Sequence, residues 1–445
     1  MNKYHFWHKS IKSGKTYTPD KFLYTDPETN ELLMVERDEA YITQTLGSGK
    51  QLCEHFDALR YGPERRTYPN NSGVWLWRDF ILPGFPEEAI ISLNEGQTDL
   101  FEIPDWLKKQ IGLNKLFIKM EGQSPSESFK DRGMPVAVSD ALRLQMQNPA
   151  LGITGVACAS TGDTSAAAAI YSAYRKDKLA CTVLLPYEHI ADSQLFQAMA
   201  HGANVIAVKH PDGFDGCMKL IQEFTAHHPE HVLVNSKNDM RLVGQETIGL
   251  EILQDLEWQV PDWIVIPVGN GGNLSALMVG LLRAKEHGMI DRLPGIIGAQ
   301  ASAADTLSRW ESSDFTKYEP GLFKETVASA MNINAPVSFP RIESLYKKFH
   351  IHFMSVEEKD IKDTWARFMQ AGANICPQSA VALHAAITAR ANGLIKEDDT
   401  VVSISTASGI KFSQAGINYH KGNEGKFKNS YKIAEGNLEA IEKLL

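Results

Sequence analysis

The chain has 445 residues, of which 43% are hydrophobic and 22% are charged. This composition is typical of a globular protein and excludes a disordered or collagen-like chain, and the length suggests two or three domains. The 45 basic and 54 acidic side chains leave a net charge of −9, which argues against a nucleic-acid-binding surface but allows a local pocket for a small anion.

Cysteine usage and hydropathy indicate the compartment. Five scattered cysteines form no CxxC pair, so the sequence predicts neither a disulfide framework nor a zinc site. No apolar run reaches the ~18 residues that a membrane span needs, and the first fifteen residues lack the apolar core of a secretory signal. We therefore expect a cytoplasmic protein without membrane, nucleic-acid or metal partners.

The predicted elements begin with an N-terminal extension, residues 1–90, which is polar and turn-rich with room for one or two helices within 38–60. From residue 116 to 301 short apolar runs alternate with helical patterns, and another apolar run follows at 401–407. Apolar runs without alternation are typical of parallel strands buried on both faces. The sequence therefore predicts an α/β fold with two open, mostly parallel twisted sheets flanked by helices.

Ligands of such folds bind at the carboxyl ends of strands, and two loops at such positions favour anions. The loop STGDTS at 160–165 precedes an alanine-rich helix, whose free N–H groups and dipole suit a carboxylate or phosphate; simple helix capping is the alternative. The loop GNGGN at 269–273 lets a phosphate approach the backbone closely. It matches neither the GxGxxG nor the GxxxxGK[ST] motif, and a structural tight turn is its alternative.

Two further motifs carry reactive groups. SFKDRG at 128–133 places Lys130 in the first turn of a helix, where a positive charge is unfavourable. A desolvated lysine there has a lowered pKa and can form a Schiff base, although the motif taken alone favours a solvated surface lysine. STASG at 405–409 ends a strand with hydroxyl groups that either bind a ligand or cap a turn.

In this order the motifs resemble fold type II pyridoxal-phosphate (PLP) enzymes and, more narrowly, the threonine synthase family. The resemblance runs from about Gly73 to Phe412. The stretches that carry it are SLNEGQTDL (92–100), ESFKDRGM (127–134), ACASTGDTSAA (157–167), LVNSKNDMRLVGQETIGLEI (233–252), VIPVGNGGNLSA (265–276) and STASGIKF (405–412).

The resemblance implies PLP as cofactor and Lys130 as the catalytic lysine, which binds the cofactor as a Schiff base and moves protons on the substrate. The further cofactor contacts that it implies are Asp163, Gly269, Asn270, Gly271, Gly272, Asn273 and Thr406. The substrate contacts that it implies are Ser160, Thr161 and Thr164 for the α-carboxylate, and Asn235, Ser236 and Arg241 for a phosphate group. An arginine suits phosphate because it stays charged and binds in a bidentate manner.

The resemblance implies conversion of O-phospho-L-homoserine and water to L-threonine and phosphate by a homodimer. It implies a large PLP-binding domain (91–124 and 241–420), a small mobile domain (125–240) and a C-terminal helix or tail (421–445). Departures from the family pattern at Asp99, Asp239 and Ser408 leave two alternatives open. One is another fold type II lyase, such as a serine/threonine dehydratase or a phosphoamino-acid synthase, and the other is a weakly catalytic PLP-binding relative.

Overall fold

A computed structural model describes residues 4–160, 162–187, 192–321 and 325–445. The strands in this part of the chain are β1 (Phe6–Ser10), β2 (Thr16–Tyr17), β3 (Leu33–Arg37), β4 (Leu100–Glu102), β5 (Lys115–Met120), β6 (Gly155–Ala159), β7 (Ala180–Pro186), β8 (Asn204–Val208), β9 (His231–Leu233), β10 (Trp263–Pro267), β11 (Gly295–Ala301), β12 (Ile351–Val356) and β13 (Thr400–Ser405).

The α-helices follow in chain order. They are α1 (Glu39–Leu46), α2 (Lys50–Tyr61), α3 (Arg78–Ile81), α4 (Asp105–Ile111), α5 (Lys130–Gln147), α6 (Asp163–Tyr174), α7 (Asp192–Ala200), α8 (Gly213–His227), α9 (Met240–Asp255), α10 (Gly272–Glu286), α11 (Thr306–Ser312), α12 (Phe339–Leu345), α13 (Glu358–Gln370), α14 (Pro377–Ala391), α15 (Ser413–Lys421) and α16 (Leu438–Glu442). None of the helices in the described ranges is long and apolar enough to cross a membrane.

Two sheets flanked by helices confirm the predicted α/β fold. The smaller sheet has the order β8–β7–β6–β9 with all pairs parallel. The larger has the order β12–β11–β10–β13–β5–β4, in which only β4 runs antiparallel. The smaller sheet lies within residues 155–233, inside the segment predicted as a small domain, but the division at residues 125 and 240 stays a prediction.

The N-terminal extension contains a sheet that the sequence analysis did not predict. Strand β1 pairs antiparallel with both β2 and β3, and both β1 and β3 alternate buried and half-buried residues. Alternation of this kind is the pattern of a strand with one buried face. Phe6 of β1 and Trp75 belong to the same apolar cluster as Met134 of α5, so the extension packs into the main core.

A buried ionic network joins the large sheet to two central helices. Arg132 of α5 is fully buried and donates to both carboxylate oxygens of Glu121 at 2.7 and 2.8 Å and of Glu251 at 2.8 and 2.9 Å. Lys119, at the end of β5, donates to Glu251 and to Asp255 at 2.6 Å each. Each buried charge therefore has partners, which is the condition for ion pairs to be tolerated in a core.

We expect the substitution Arg132→Met to lower the free energy of unfolding by about 3–5 kcal/mol, because it leaves two carboxylates buried without their main cation. Urea unfolding at neutral pH measures the change. The control Lys219→Met removes an exposed partner of Asp212 and should change stability by less than about 1 kcal/mol. Equal losses for the two variants would contradict the structural role of the network.

Candidate active site

Lys130 begins α5, and the loop before it is attached to the end of β13. The backbone N–H of Phe129 donates to the carbonyl of Thr406 at 2.8 Å, and the N–H of Ser408 donates to the carbonyl of Glu127 at 3.0 Å. These two bonds bring the backbone before Lys130 next to Thr406 at the carboxyl edge of the large sheet.

The amine of Lys130 lies in an environment that disfavours its charge. Loss of solvent and, to a smaller extent, the positive charge of Arg241 together lower the pKa of Lys130 to about 7, although the carboxylate of Asp163 opposes the shift. The Lys130 Nζ atom lies 4.0 Å from the centre of the Phe129 ring. A neutral amine near pH 7 is a nucleophile, so the structure supports a Schiff-base lysine rather than a solvated surface lysine.

The helices that carry Lys130 and Arg241 are in direct backbone contact where they start. A Cβ atom added to Gly133 would collide with the carbonyl oxygen of Arg241, and one added to Gly244 would collide with the carbonyl oxygen of Arg132. Only glycine allows so close an approach at these two positions. The glycine pair therefore explains why the two cations are neighbours, although they are far apart in sequence.

Arg241 is a buried cation without an acidic partner among the described residues. Its side chain is 2% exposed, its Nη1 donates to the carbonyl of Val234 at 3.0 Å, and its Nε has no hydrogen-bond partner. Burial lowers the pKa of Arg241 to about 10, so the guanidinium stays charged at neutral pH. An unpaired buried cation is costly, and this one is therefore poised to bind an anion such as a phosphate.

The glycine loop between β10 and α10 forms a narrow cup. Gly271 has a φ of +78°, and an added Cβ would lie 2.6 Å from the Cδ1 atom of Ile342. The carbonyl of Asn270 accepts from the N–H of Ser338 at 2.9 Å, which attaches the loop to α12. The side chain of Asn273 is buried, and neither its Oδ1 nor its Nδ2 has a partner. Free backbone N–H groups and an unsatisfied amide suit a phosphate.

The hydroxyl-rich loop lies at the carboxyl end of β6. Ser160 is buried, and its Oγ accepts from the N–H of Gly162 at 3.0 Å. Asp163 and Thr164 open helix α6, and Asp163 pairs with Lys411 at 2.8 Å. The remaining predicted residue, Thr161, lies outside the described residues.

In the segment after β9, Asn235 and Ser236 make contacts with two different parts of the structure. The amide of Asn235 exchanges two hydrogen bonds with the backbone of Ala159, at 2.8 and 3.0 Å, so it joins this segment to the end of β6. Ser236 is half-buried, and its carbonyl accepts from Arg341 at 3.1 Å. The structure therefore gives Asn235 a bridging contact in addition to its predicted place near a phosphate.

Thr406 directly follows β13 and lies among other small side chains. Its N–H donates to the Ser379 hydroxyl at 2.9 Å, and its own hydroxyl lies 3.5 Å from the sulfur of Cys376. The contact of Thr406 with the pyridine ring stays a prediction, and its uncharged hydroxyl would leave the ring nitrogen unprotonated.

Two residues at the site were given no role from the sequence. Lys411 is 5% exposed and donates to the carbonyl of Ser126 at 2.7 Å as well as pairing with Asp163. Asp131 is fully buried, and burial raises its pKa to about 7. Both lie inside motifs that the sequence analysis quoted, but residue type alone does not reveal which members of a motif are buried.

The residues present fit pyridoxal phosphate. A lysine with a lowered pKa would react with the aldehyde, a glycine cup with an unsatisfied buried amide would suit the phosphate, and a neutral hydroxyl would suit the ring nitrogen. The residues that would hold it are Lys130, Asp163, Gly269, Asn270, Gly271, Gly272, Asn273 and Thr406. The substrate contacts of Ser160, Thr164, Asn235, Ser236 and Arg241 stay predictions.

We expect Gly271→Ala to weaken PLP binding about tenfold or more, because the new methyl group collides with Ile342 and the left-handed backbone costs ~1–2 kcal/mol for a residue with a Cβ. Absorbance titration of the cofactor-free protein measures the affinity. Gly393 provides a matched control, since its φ is also +78° and nothing lies within 4 Å of an added Cβ. Unchanged affinity in Gly271→Ala would contradict the phosphate cup.

We expect the rate at which Lys130 captures pyridoxal to rise with pH around 7 and to level off above about 8, because the neutral amine is the reactive form and its pKa is about 7. Borohydride trapping at a series of pH values, followed by peptide mass spectrometry, measures the adduct at Lys130. A rate that keeps rising to pH 10, as for an exposed lysine, would contradict the desolvated environment.

Known proteins of similar sequence identify the family to which this chain belongs. A model of the family described as "Pyridoxal-phosphate dependent enzyme" matches residues 91–407. The chain is 39% identical to threonine synthase 2, chloroplastic, from Arabidopsis thaliana over 92% of this chain and 77% of that protein. It is 35% identical to threonine synthase from Methanocaldococcus jannaschii over 92% of this chain and 94% of that protein.

Solved structures share the fold at low identity. The threonine synthase from Escherichia coli superposes with a TM-score of 0.64 at 18% identity, covering 93% of this chain and 90% of that one. The cysteine synthase from Entamoeba histolytica superposes with a TM-score of 0.60 at 18% identity over 75% and 91%. The family model and the identities over most of the chain go further than the fold: this chain belongs to the threonine synthase family of pyridoxal-phosphate dependent enzymes.

Proposed function

We propose that the protein converts O-phospho-L-homoserine and water to L-threonine and phosphate. The observation that carries this proposal is Arg241, a buried guanidinium without an acidic partner that lies close enough to Lys130 to lower the pKa of its amine. A substrate that joins an amino acid to a phosphate group matches this pair of groups. Family membership supports the same reaction.

The chain's own residues divide the work. Ser160, Thr164 and the N-terminus of α6 bind the α-carboxylate, and Arg241 binds the phosphate together with the backbone near Ser236. The Lys130 amine takes the proton from Cα, gives that proton up again and then takes one from Cβ, and a pKa of about 7 suits a base that must release each proton it accepts. When bound, PLP supplies an electron sink that stabilises negative charge at Cα.

A second part of the proposal concerns water, which must be absent until phosphate has left. The pair between Asp163, which follows the small sheet's strand β6, and Lys411, which follows the large sheet's strand β13, crosses the site at 2.8 Å. We propose that the small sheet and its loops, within the segment 125–240, move as a small domain while α5 stays fixed to the large sheet, and that this pair closes them over the substrate.

The runner-up is a serine/threonine dehydratase. A dehydratase acts on an unphosphorylated amino acid, so it gains nothing from an unpaired buried cation beside the reactive lysine. Keeping Arg241 without an anion to bind would only cost stability. The arginine therefore favours the phosphorylated substrate.

The holoenzyme with O-phospho-L-homoserine should release L-threonine and phosphate in equal amounts, and Lys130→Ala should abolish both. We expect Arg241→Met to raise KM about 30-fold or more, which corresponds to ~2 kcal/mol of lost binding to the phosphate. Because no carboxylate loses a partner, the variant should remain folded. Coupled assays for both products measure the change.

A matched control is Arg292→Met, which removes an exposed arginine that binds Asp262 and should leave KM unchanged. Phosphate accompanied by 2-oxobutyrate instead of threonine would indicate elimination without hydration. An Arg241→Met variant with normal KM, or a wild-type protein that releases neither product, would overturn the proposed reaction.

We also propose that the protein acts in the cytoplasm as a homodimer. Its five cysteines are free and buried, which suits a reducing compartment. Phe196 and Met199 of α7 are 69% and 61% exposed and supply apolar surface for a second copy.

A further inference from the structure

The first strand of the extension makes a buried contact with the segment that leads to Arg241. His8 of β1 is 4% exposed and Asp239 is 2% exposed, and the His8 Nδ1 atom lies 2.7 Å from the Asp239 carboxylate. Burial lowers the pKa of His8, but the charge and hydrogen bond of Asp239 outweigh it and raise the pKa. Asp239 directly precedes α9, whose second residue is Arg241.

A second contact joins the extension to the same segment through Arg341 of α12. The fully buried guanidinium donates to the carbonyl of Leu33 in β3 at 2.8 and 3.1 Å. It also donates to the carbonyls of Ser236 and Lys237 at 3.1 and 3.3 Å. The Arg341 side chain thus fixes the position of the segment 235–239 relative to the extension.

The contacts with the extension and Arg341 add to the bonds that the segment makes with the small sheet, such as those of Asn235 with Ala159. The segment leaves the short strand β9 and reaches α9 in six residues, 234–239. The carbonyls of Ser236 and Lys237 accept from Arg341, and Asp239 would be a buried anion without His8, which is costly. A displacement here would move both Ser236 and the start of α9, and with it Arg241.

We propose that strands β1 and β3 of the N-terminal extension position the phosphate-binding segment 235–241, with His8 and Arg341 as positioning residues. This inference rests on the proposed function, because it assumes that Arg241 binds the substrate's phosphate group. The extension then sets the affinity for the phosphorylated substrate without contacting it, in the way that supporting groups fix the geometry of a binding site.

The test is His8→Leu in the full-length holoenzyme. We expect KM for O-phospho-L-homoserine to rise about tenfold, kcat to stay within about twofold and PLP affinity to stay unchanged, since the cofactor cup is on another loop. His8→Asn should restore most of the loss, because the asparagine Nδ2 group donates from nearly the position of the histidine Nδ1.

His5→Leu is the matched control. His5 lies three residues earlier, is half-exposed, and faces Asp38 at 3.4 Å, so its loss should leave KM unchanged. If His8→Leu does not fold, Asp239→Asn replaces it in the same comparison, because it keeps the size of the side chain and removes its charge.

Calorimetric titration of the holoenzyme with inorganic phosphate separates this inference from the proposed reaction. Weaker phosphate binding in His8→Leu than in wild type supports the positioning role even if O-phospho-L-homoserine is not the substrate. Equal KM and equal phosphate affinity in wild type, His8→Leu and Asp239→Asn would overturn it. A fall in kcat and PLP affinity together, without rescue by His8→Asn, would also overturn it by showing a general structural role.

Discussion

The buried guanidinium of Arg132 holds together the parts of the chain on which the active site depends. It binds Glu121, just after β5, and Glu251 of α9, and it lies two residues beyond Lys130. The direction of its hydrogen bonds fixes how α5 sits against the large sheet and against α9. Because a bidentate arginine pair loses its strength when its geometry changes, Lys130 can occupy only a narrow range of positions relative to both.

The charges of the ion network around Arg132 are paired, whereas Arg241 in the active site has no acidic partner among the described residues. The Lys130 amine lies near the Arg241 guanidinium, and the nearby carboxylate of Asp163 pairs with Lys411. The loss of solvent and the charge of Arg241 disfavour a proton on Lys130 and lower the pKa of its amine, and the guanidinium favours an anion beside it. The rigid ion network around Arg132 allows the site to keep this unfavourable arrangement of charges.

The sequence best predicts those structural features that depend on a single strand or helix. Short apolar runs located the parallel strands β5 to β11 and β13, because strands buried on both faces need apolar residues throughout. The antiparallel strands β1 and β3 were not predicted. Alternation of apolar and polar residues over only five positions, as in Phe6–Ser10, is a weak signal within a polar stretch of sequence. At the site, Lys130 and the two anion loops follow from local helix and loop chemistry, and the bridging bonds of Asn235 to Ala159 do not.

The sequence alone predicted the fold class, from its alternating apolar and helical patterns, and the cofactor, from the motifs that resemble fold type II enzymes. Its assignment of Lys130 as the reactive lysine stays a prediction. The partners of the buried charges depend on residues far apart in the chain: His8 with Asp239, and Leu33 with Arg341. Such pairs carry no periodic or motif signal, since either member alone is an ordinary polar residue. Only folding, which brings the two members together out of water, makes each pair specific and ties the N-terminal extension to the active site.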